Sequence, residues 1–544
     1  MNRRERRARG KGSQLLAEAT GLHRAGRIAE AATLYRRILA EEPRHADALH
    51  LLGVALFQSG RAAEAAEQIG RAIAVQPAIA DFHNHLGAAL IAAGKPRDAL
   101  GALERARALA PGSPEIHLNL GNAHRECGDL ARAEAEYRRS VELAPALASA
   151  HMNLGNTLRN RGAVEEGIAA LKRATELEPR YADAHMNLGI ALKDIGRADE
   201  AVEAYRRALA LLPQSAVKDI AATHYNLSIA LLVGGAFEDG WREFEWRLDP
   251  DAGAATPRPH AQPRWDGATL GAKKLLVWGE QGVGDELIYG TMLPDLIAAG
   301  MSVVLECDPR LAPLFARGLP GVEIVARRNP SDPRLQRDDI GAQIAVGSLG
   351  RFYRKDWASF ANGRRPIAAD PARTDALAAR YRAKAAGRKV VGISWRSGNA
   401  RIGRWKSSPL EAWAPVFALE NAFFVDLQYG DTGADRARVR ELFGVDLHRD
   451  DDIDALTDLD GFAAQVASVD RVLSVSNTTV HFAGALAKPA TTLLHQGALW
   501  YWFRGREDTP WYPGMRLLRQ GPDADWSDVF ARAASALAKD LEKA

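Results

Sequence analysis

A chain of 544 residues exceeds what one hydrophobic core supports, so two or three separately packed units are expected. A net charge of +3 with 26% charged residues is close to balance, which argues against a dedicated nucleic-acid binder with a phosphate-neutralising face. The two cysteines, Cys127 and Cys307, lack any CxxC partner, which excludes a disulfide framework and a cysteine zinc site, and no apolar run reaches the length of a membrane span, so a cytoplasmic protein without stable membrane insertion is expected.

Residues 1–11 carry Arg3, Arg4, Arg6, Arg7 and Arg9 with no apolar stretch after them, and read as a basic, disordered tail. Beyond it Pro43, Pro77, Pro111, Pro145, Pro179 and Pro213 recur every 34 residues, and six glycines from Gly26 to Gly196 keep the same step. A 34-residue period predicts a helix-turn-helix solenoid that holds another macromolecule and carries no chemistry of its own. Within each unit a Leu-Gly pair (Leu52-Gly53, Leu86-Gly87, Leu120-Gly121, Leu154-Gly155, Leu188-Gly189) lets a second helix approach, and alanine with a larger residue (Ala133 and Tyr137, Ala201 and Tyr205) fills the gap before the terminating proline. These residues resemble the tetratricopeptide repeat family over six units, residues 12–215. A degenerate seventh unit around His224 to Ser228, with Gly240 in place of alanine, extends the solenoid to residue 247.

Two polar columns follow the period. The histidines His83, His117, His151, His185 and His224 cannot share a metal, because repeat helices pack roughly 8–10 Å apart whereas two nitrogens on one zinc lie about 3–4 Å apart. The asparagines Asn119, Asn153, Asn187 and Asn226, joined three residues on by Asn122 and Asn156, carry a donor and an acceptor each. Such a row can bind the backbone of an extended peptide or can be a solvated face. In sequence it is similar to the asparagine ladder of O-GlcNAc transferase repeats, and that resemblance implies protein binding.

Residues 248–265 are rich in proline, alanine and glycine and read as a linker. From there the period changes. Short apolar runs at 274–278, 303–305, 390–393, 423–425 and 472–475 alternate with helical stretches near 286–299, 310–317 and 409–419. Strands and helices in alternation predict parallel sheets, and the charged helical stretch 370–388 divides them into two doubly wound domains, 266–388 and 389–544, with a cleft between.

Three loops after strands carry chemical signals. In the first, Gly279, Gly282 and Gly284 permit close approach of a ligand, and Asp285 is either a general base or a helix cap. No dinucleotide fingerprint or phosphate loop of the Gly-Lys-Ser/Thr type occurs. In the second, Ser394 and Arg396 are followed by Arg404 and Lys406 with hydroxyls at a helix start, a set that suits a phosphate. In the third, Ser476, Asn477, Thr478 and Thr479 exceed what one cap needs, and His481 follows them. Asp450, Asp451, Asp452 and Asp454 contain a DxD spacing but read as a solvated acidic turn.

Together EQGVGD, GISWRSGN, WKSSPL, LQYGD, SNTTVHFAGAL and REDTPWYPGMRLLRQ resemble the glycosyltransferase part of bacterial repeat-containing glycosyltransferases, which is related to the heptosyltransferases. The resemblance spans residues 262–520 and implies a two-domain GT-B fold, with the acceptor on the first domain and a nucleotide sugar on the second. It implies that Asp285 is the catalytic base and that Ser394, Arg396, Lys406, Gln428, Ser476, Asn477, Thr478, Thr479 and His481 surround the donor. The family's usual Asp-Thr is replaced here by Ser476 and Asn477. Inverting transfer without a metal or other cofactor is expected, onto a protein acceptor held by the repeats, flagellin being the acceptor the resemblance suggests. The alternatives are a repeat scaffold with a degenerate transferase domain and a lipopolysaccharide glycosyltransferase.

Overall fold

The structure is a computed structural model describing residues 3–251, 255–360, 365–398, 403–496, 499–521 and 525–543. The chain divides into two compact units, Met1–Ala191 and Leu192–Ala544.

The first unit is helical throughout. Its opening helix, Arg3–Arg24, runs through most of the stretch expected as a disordered tail, in keeping with the helix propensity of its arginine, alanine and glutamate. From Ile28–Glu41 onward helices of 14 and 13 residues alternate without interruption to Ala198–Leu211, which lies in the second unit. The periodic glycines close the turn inside each pair with positive φ, +83° at Gly128 for example, where a side chain would be strained. Glycine on the first helix serves a different end. A Cβ built on Gly121 would sit 2.5 Å from Cε1 of Tyr137, so the two backbones approach only because that carbon is missing. Gly121→Ala is therefore expected to destabilise the solenoid by about 1–3 kcal/mol, and an unchanged urea midpoint for its unfolding would refute the close approach.

The histidine column has a structural explanation. His83, His117, His151 and His185 each direct Nε2 at the carbonyl of the proline six residues earlier, at 2.9–3.2 Å. A carbonyl only accepts, so Nε2 carries the proton, and each histidine satisfies an orphan acceptor left beside a terminating proline. His224, with no such proline, pairs instead with Glu243 at 2.6 Å and stacks on Trp246.

The second unit begins within helix Ala182–Asp194 and so contains the last repeat helices, Ala198–Leu211, Val217–Val233 and Phe237–Phe244. Packing therefore sets a boundary earlier than residue 247. Trp241 explains it: its indole is buried, donates to the Arg354 carbonyl at 2.7 Å, and lies against Gly350 so closely that a Cβ there would clash with the ring. Two parallel sheets follow. The first joins β1 (Lys274–Trp278), β2 (Val303–Cys307), β3 (Glu323–Ala326) and β4 (Ile340–Ala345) in the order β3-β2-β1-β4. The second joins β5 (Lys389–Ser394), β6 (Ala422–Asp426), β7 (Arg471–Val475), β8 (Ala490–Leu494) and β9 (Met515–Arg519) in the order β6-β5-β7-β8-β9. Helix Pro371–Ala385 connects them. Residues alternate between faces as the pleat requires: Leu275 and Val277 enter a large core shared with the second sheet, while Leu276 joins Val304 and Ile340 on the other side.

The stretch expected as a linker is built into the first sheet over its described part. Gln343 of β4 donates to the Pro263 carbonyl and accepts from the Trp265 N–H, both at 2.9 Å. Arg258 makes a forked contact with buried Glu306 of β2, at 2.7 and 3.1 Å, and His260 reaches the same carboxylate at 3.1 Å. Proline-rich composition signalled only the absence of a helix here; extended chain pairing with a sheet edge has the same composition.

Candidate functional site

Open parallel sheets place their ligands where the strand order reverses, beyond the carboxyl ends of the strands. In the first sheet the reversal lies at β1, in the second between β5 and β7. A cavity of about 370 Å³ occupies that position and is lined from both sheets: Gly282, Gly284 and Asp285 after β1, Arg310 after β2, Ser397 and Lys406 after β5, Tyr429 after β6, and Ser476 to Thr478 with His481 after β7.

Asp285 lies in the first turn of helix Val283–Gly290, and its Oδ2 accepts the Gly282 N–H at 3.2 Å. Cap and cavity residue are thus the same side chain. Burial among protein groups pushes its carboxyl up to about 6; the negative charge of Glu280 adds to the rise, while the Gly282 N–H and the ammonium of Lys406 oppose it. Gln281 precedes it with φ +60°, a conformation disfavoured for any residue but glycine, so the loop is held by its surroundings. Those surroundings are firm. Glu280 is buried in a forked pair with Arg247, at 2.6 and 2.8 Å, and also accepts the Gly347 N–H at 2.8 Å. At Gly279 a Cβ would overlap the Glu286 carboxylate, which explains that glycine without reference to a ligand.

Opposite stands Lys406, 7% exposed and in no direct ion pair among the described residues. Burial lowers its pKa, and the Asp285 charge partly restores it. A cavity with a buried ammonium and a carboxyl poised near neutrality is electrostatically prepared for an anion beside a proton acceptor.

The third loop opens helix Thr478–Ala485. Asn477 is its N-cap, accepting the Thr479 N–H at 3.0 Å, while its amide donates to Ser394 Oγ at 2.7 Å and to the Arg396 carbonyl at 3.0 Å. It therefore ties the β7 loop to the β5 loop. Ser476 Oγ accepts from the Trp502 indole at 2.9 Å. Thr478 lines the cavity, whereas Thr479 is buried beneath it, its Oγ1 without a hydrogen-bond partner among the described residues. His481 is held neutral, its pKa lowered to about 3 by burial and by Lys406, with Nδ1 3.1 Å from the Tyr512 hydroxyl and the ring stacked on Trp502. A Cβ on Gly284 would come 3.0 Å from this imidazole, so the third glycine of the first loop serves the contact between the two loops.

Some expected residues lie elsewhere. Ser394 and Gln428 are fully buried, and Gln428 Oε1 accepts from Ser394 Oγ, Trp395 N and Arg396 N at 2.9, 3.1 and 2.9 Å. They shape the loop from behind. Arg396 turns away from the cavity to Asp435, at 2.6 Å, and to the Asp431 carbonyl; the side chain of Arg404 lies outside the described residues. Sequence reasoning missed Arg310, which binds Asp308 through Nε and a terminal nitrogen at 2.9 and 2.7 Å, donates to the Leu456 carbonyl at 2.7 Å, and so links loops of the two sheets. Tyr429 was missed too, and Tyr501, from the aromatic run Trp500–Trp502, lines the cavity as well. Asp450 is no solvated turn residue: it is buried, its pKa driven far down by His448, Tyr381, Arg380 and Gln465, which hold it against the cost of burial.

In the first unit the asparagine column bonds to itself. Asn119 donates to Asn84 at 2.9 Å, Asn122 to Asn119 at 3.5 Å and Asn153 to Asn122 at 3.4 Å, while Asn187 and, in the second unit, Asn226 donate to carbonyls in their own helices at 2.8 and 3.0 Å. The Asn156 carbonyl oxygen is buried with no partner among the described residues. Asn84 escaped notice because it stands one place off the column.

Among the described residues no helix is long and apolar enough to cross a membrane. Family models described as tetratricopeptide repeat match residues 22–84, 84–148 and 152–216. The chain is 32% identical over 334 residues to Protein FlbA of Caulobacter vibrioides, covering 59% of this chain and 55% of that protein. It thus spans about half the length of this curated relative. Similar solved structures include a thermophilic repeat protein of Thermus thermophilus (24% identical, 34% of this chain and 99% of that one, TM-score 0.30) and MamA of Desulfovibrio magneticus (21%, 31% and 97%, TM-score 0.29). The amino-terminal half is thus a tetratricopeptide-repeat solenoid, a class of surface that supports protein interaction, and the remainder is α/β with parallel sheets.

Proposed function

We propose that the protein is a glycosyltransferase that moves a sugar from a nucleotide-activated donor to a hydroxyl of a protein acceptor held by the repeats, flagellin being one acceptor to try. The observation that carries this reading is the shared cavity of Asp285 and Lys406 at the reversal points of two parallel sheets. The acceptor O–H attacks the anomeric carbon as the bond from that carbon to the donor phosphate breaks, and the hydroxyl proton passes to Asp285. The nucleotide departs as an anion toward Lys406 and the first N–H groups of helix Thr478–Ala485. Neutral His481, fixed by Tyr512, adds no competing charge. A single displacement inverts the anomeric centre.

The test is nucleotide release from a panel of nucleotide sugars by the full chain, with and without candidate acceptor proteins such as flagellin. Release that requires Asp285 supports transfer. Silence across the panel, with the parent and Asp285→Asn alike, would leave a binding scaffold in its place.

A further inference from the structure

A second cavity of about 380 Å³ adjoins the first through Leu499, which lines both. Its charge is lopsided. Lys193, Arg504 and Arg519 line it with Asp194 as the one lining carboxylate, and Asp194 already meets Lys193 at 3.1 Å. Neither arginine has a carboxylate in ion-pair contact among the described residues. Arg504 donates to the carbonyls of Asp194 and Gln496, Arg519 to those of Trp502 and Phe503, and Nε of Arg519 is buried without a partner among the described residues. Burial and the neighbouring Arg504 lower Arg519 to about 10, while burial lowers Arg504 and the Asp194 charge partly restores it. The remaining walls include Trp500 and Tyr225 with Asn226, the last amide of the repeat column.

We infer that this second cavity is a subsite for a carboxylate side chain of a protein partner, read as part of an acidic peptide segment. A guanidinium fork matches a carboxylate, aromatic walls and an amide suit a peptide, and the cavity is close to the proposed transfer site. A phosphate dianion fits less well than a single carboxylate, because helix Ala182–Asp194 presents its carbonyl end here and its dipole opposes each negative charge, so the second charge of phosphate doubles the cost. The placement of this segment as an acceptor rests on the transferase reading; the binding itself does not.

The full chain is titrated with a fluorescein-labelled peptide of alternating Ser and Asp, and with its Ser and Asn counterpart. The acidic peptide is expected to bind about tenfold more tightly, and Arg504→Gln and Arg519→Gln each to remove most of that difference. Asp285→Asn should bind as the parent does, and inorganic phosphate at the same concentration should not displace the peptide. Equal affinity for the two peptides, undiminished binding in both arginine variants, or displacement by phosphate would overturn the inference. Should the arginine variants not fold, Lys193→Gln together with loss of parent binding on adding salt gives the same decision. Peptide binding without nucleotide release would retain this subsite and sink only the transferase.

Discussion

Asp285→Asn is expected to abolish nucleotide-sugar turnover, lowering it by about 10²–10⁴-fold, while making the protein more stable above pH 6. The two effects have one cause. Burial raises the carboxyl to about 6, so the folded protein holds the proton more tightly than the unfolded chain does. For a raised carboxylate, stability is fully present below the unfolded pKa near 3.8 and is lost as pH climbs through about 6. At pH 8 the ionised Asp285 therefore strains the fold, and the neutral amide relieves about 1–3 kcal/mol of that strain. Under the proposed transfer, parent activity is expected to run the opposite way, rising with pH through about 6 as Asp285 ionises. Turnover and thermal unfolding measured across pH 5–8 check both. A variant that loses activity and also loses stability at pH 8 would mean that Asp285 is a cap and nothing more.

The second large effect belongs to Arg247 and Glu280. Both are wholly removed from solvent, and their fork joins the turn Glu245–Leu248 to the glycine loop, with Ser348 Oγ accepting from the guanidinium at 2.9 Å. Two buried charges in good geometry are tolerable; one alone is not. Arg247→Ala or Glu280→Ala should each cost about 3–5 kcal/mol, seen as a shift in the unfolding transition of the carboxyl-terminal unit. Replacing both together, Arg247→Met with Glu280→Leu, should cost less than either single change, because no charge is stranded. If the double replacement is as costly as the sum of the singles, the pair is not the source of the stability. If the transferase reading holds, loss of Glu280 alone should also weaken turnover, since its carboxylate, held by Arg247 and the Gly347 N–H, anchors the loop that runs through Gln281 to Asp285.

Elements that bury both faces, or that repeat, were legible in sequence. Strands β1, β2, β5, β6 and β7 appear as unbroken apolar runs because parallel strands are covered on both sides. Strands β3, β4, β8 and β9 did not, because Glu323, Gln343, Thr491 and Arg516 place polar side chains in what would otherwise be apolar runs. The cavity followed the same division. Asp285, Lys406 and Thr478 were found because strand-end loops announce themselves through glycines and short polar residues. Arg396 was misread because sequence does not say which way a guanidinium turns, and its partner Asp435 lies 39 residues on. Arg310 comes from a loop with no unusual composition and was invisible for that reason.

The early packing boundary bears on how this chain can be cut. A clone designed from the repeat motif would begin after residue 247 and would discard Trp241, Phe244 and Arg247 at once. It would expose the floor on which the indole rests at Gly350 and take from the Glu280 carboxylate the Arg247 guanidinium that pairs with it. The glycine loop would then be released at its root. A fragment meant to retain the cavity must keep the chain from helix Ala182–Asp194 onward, so the last three repeat helices are scaffolding of the α/β half while still written in the grammar of the solenoid.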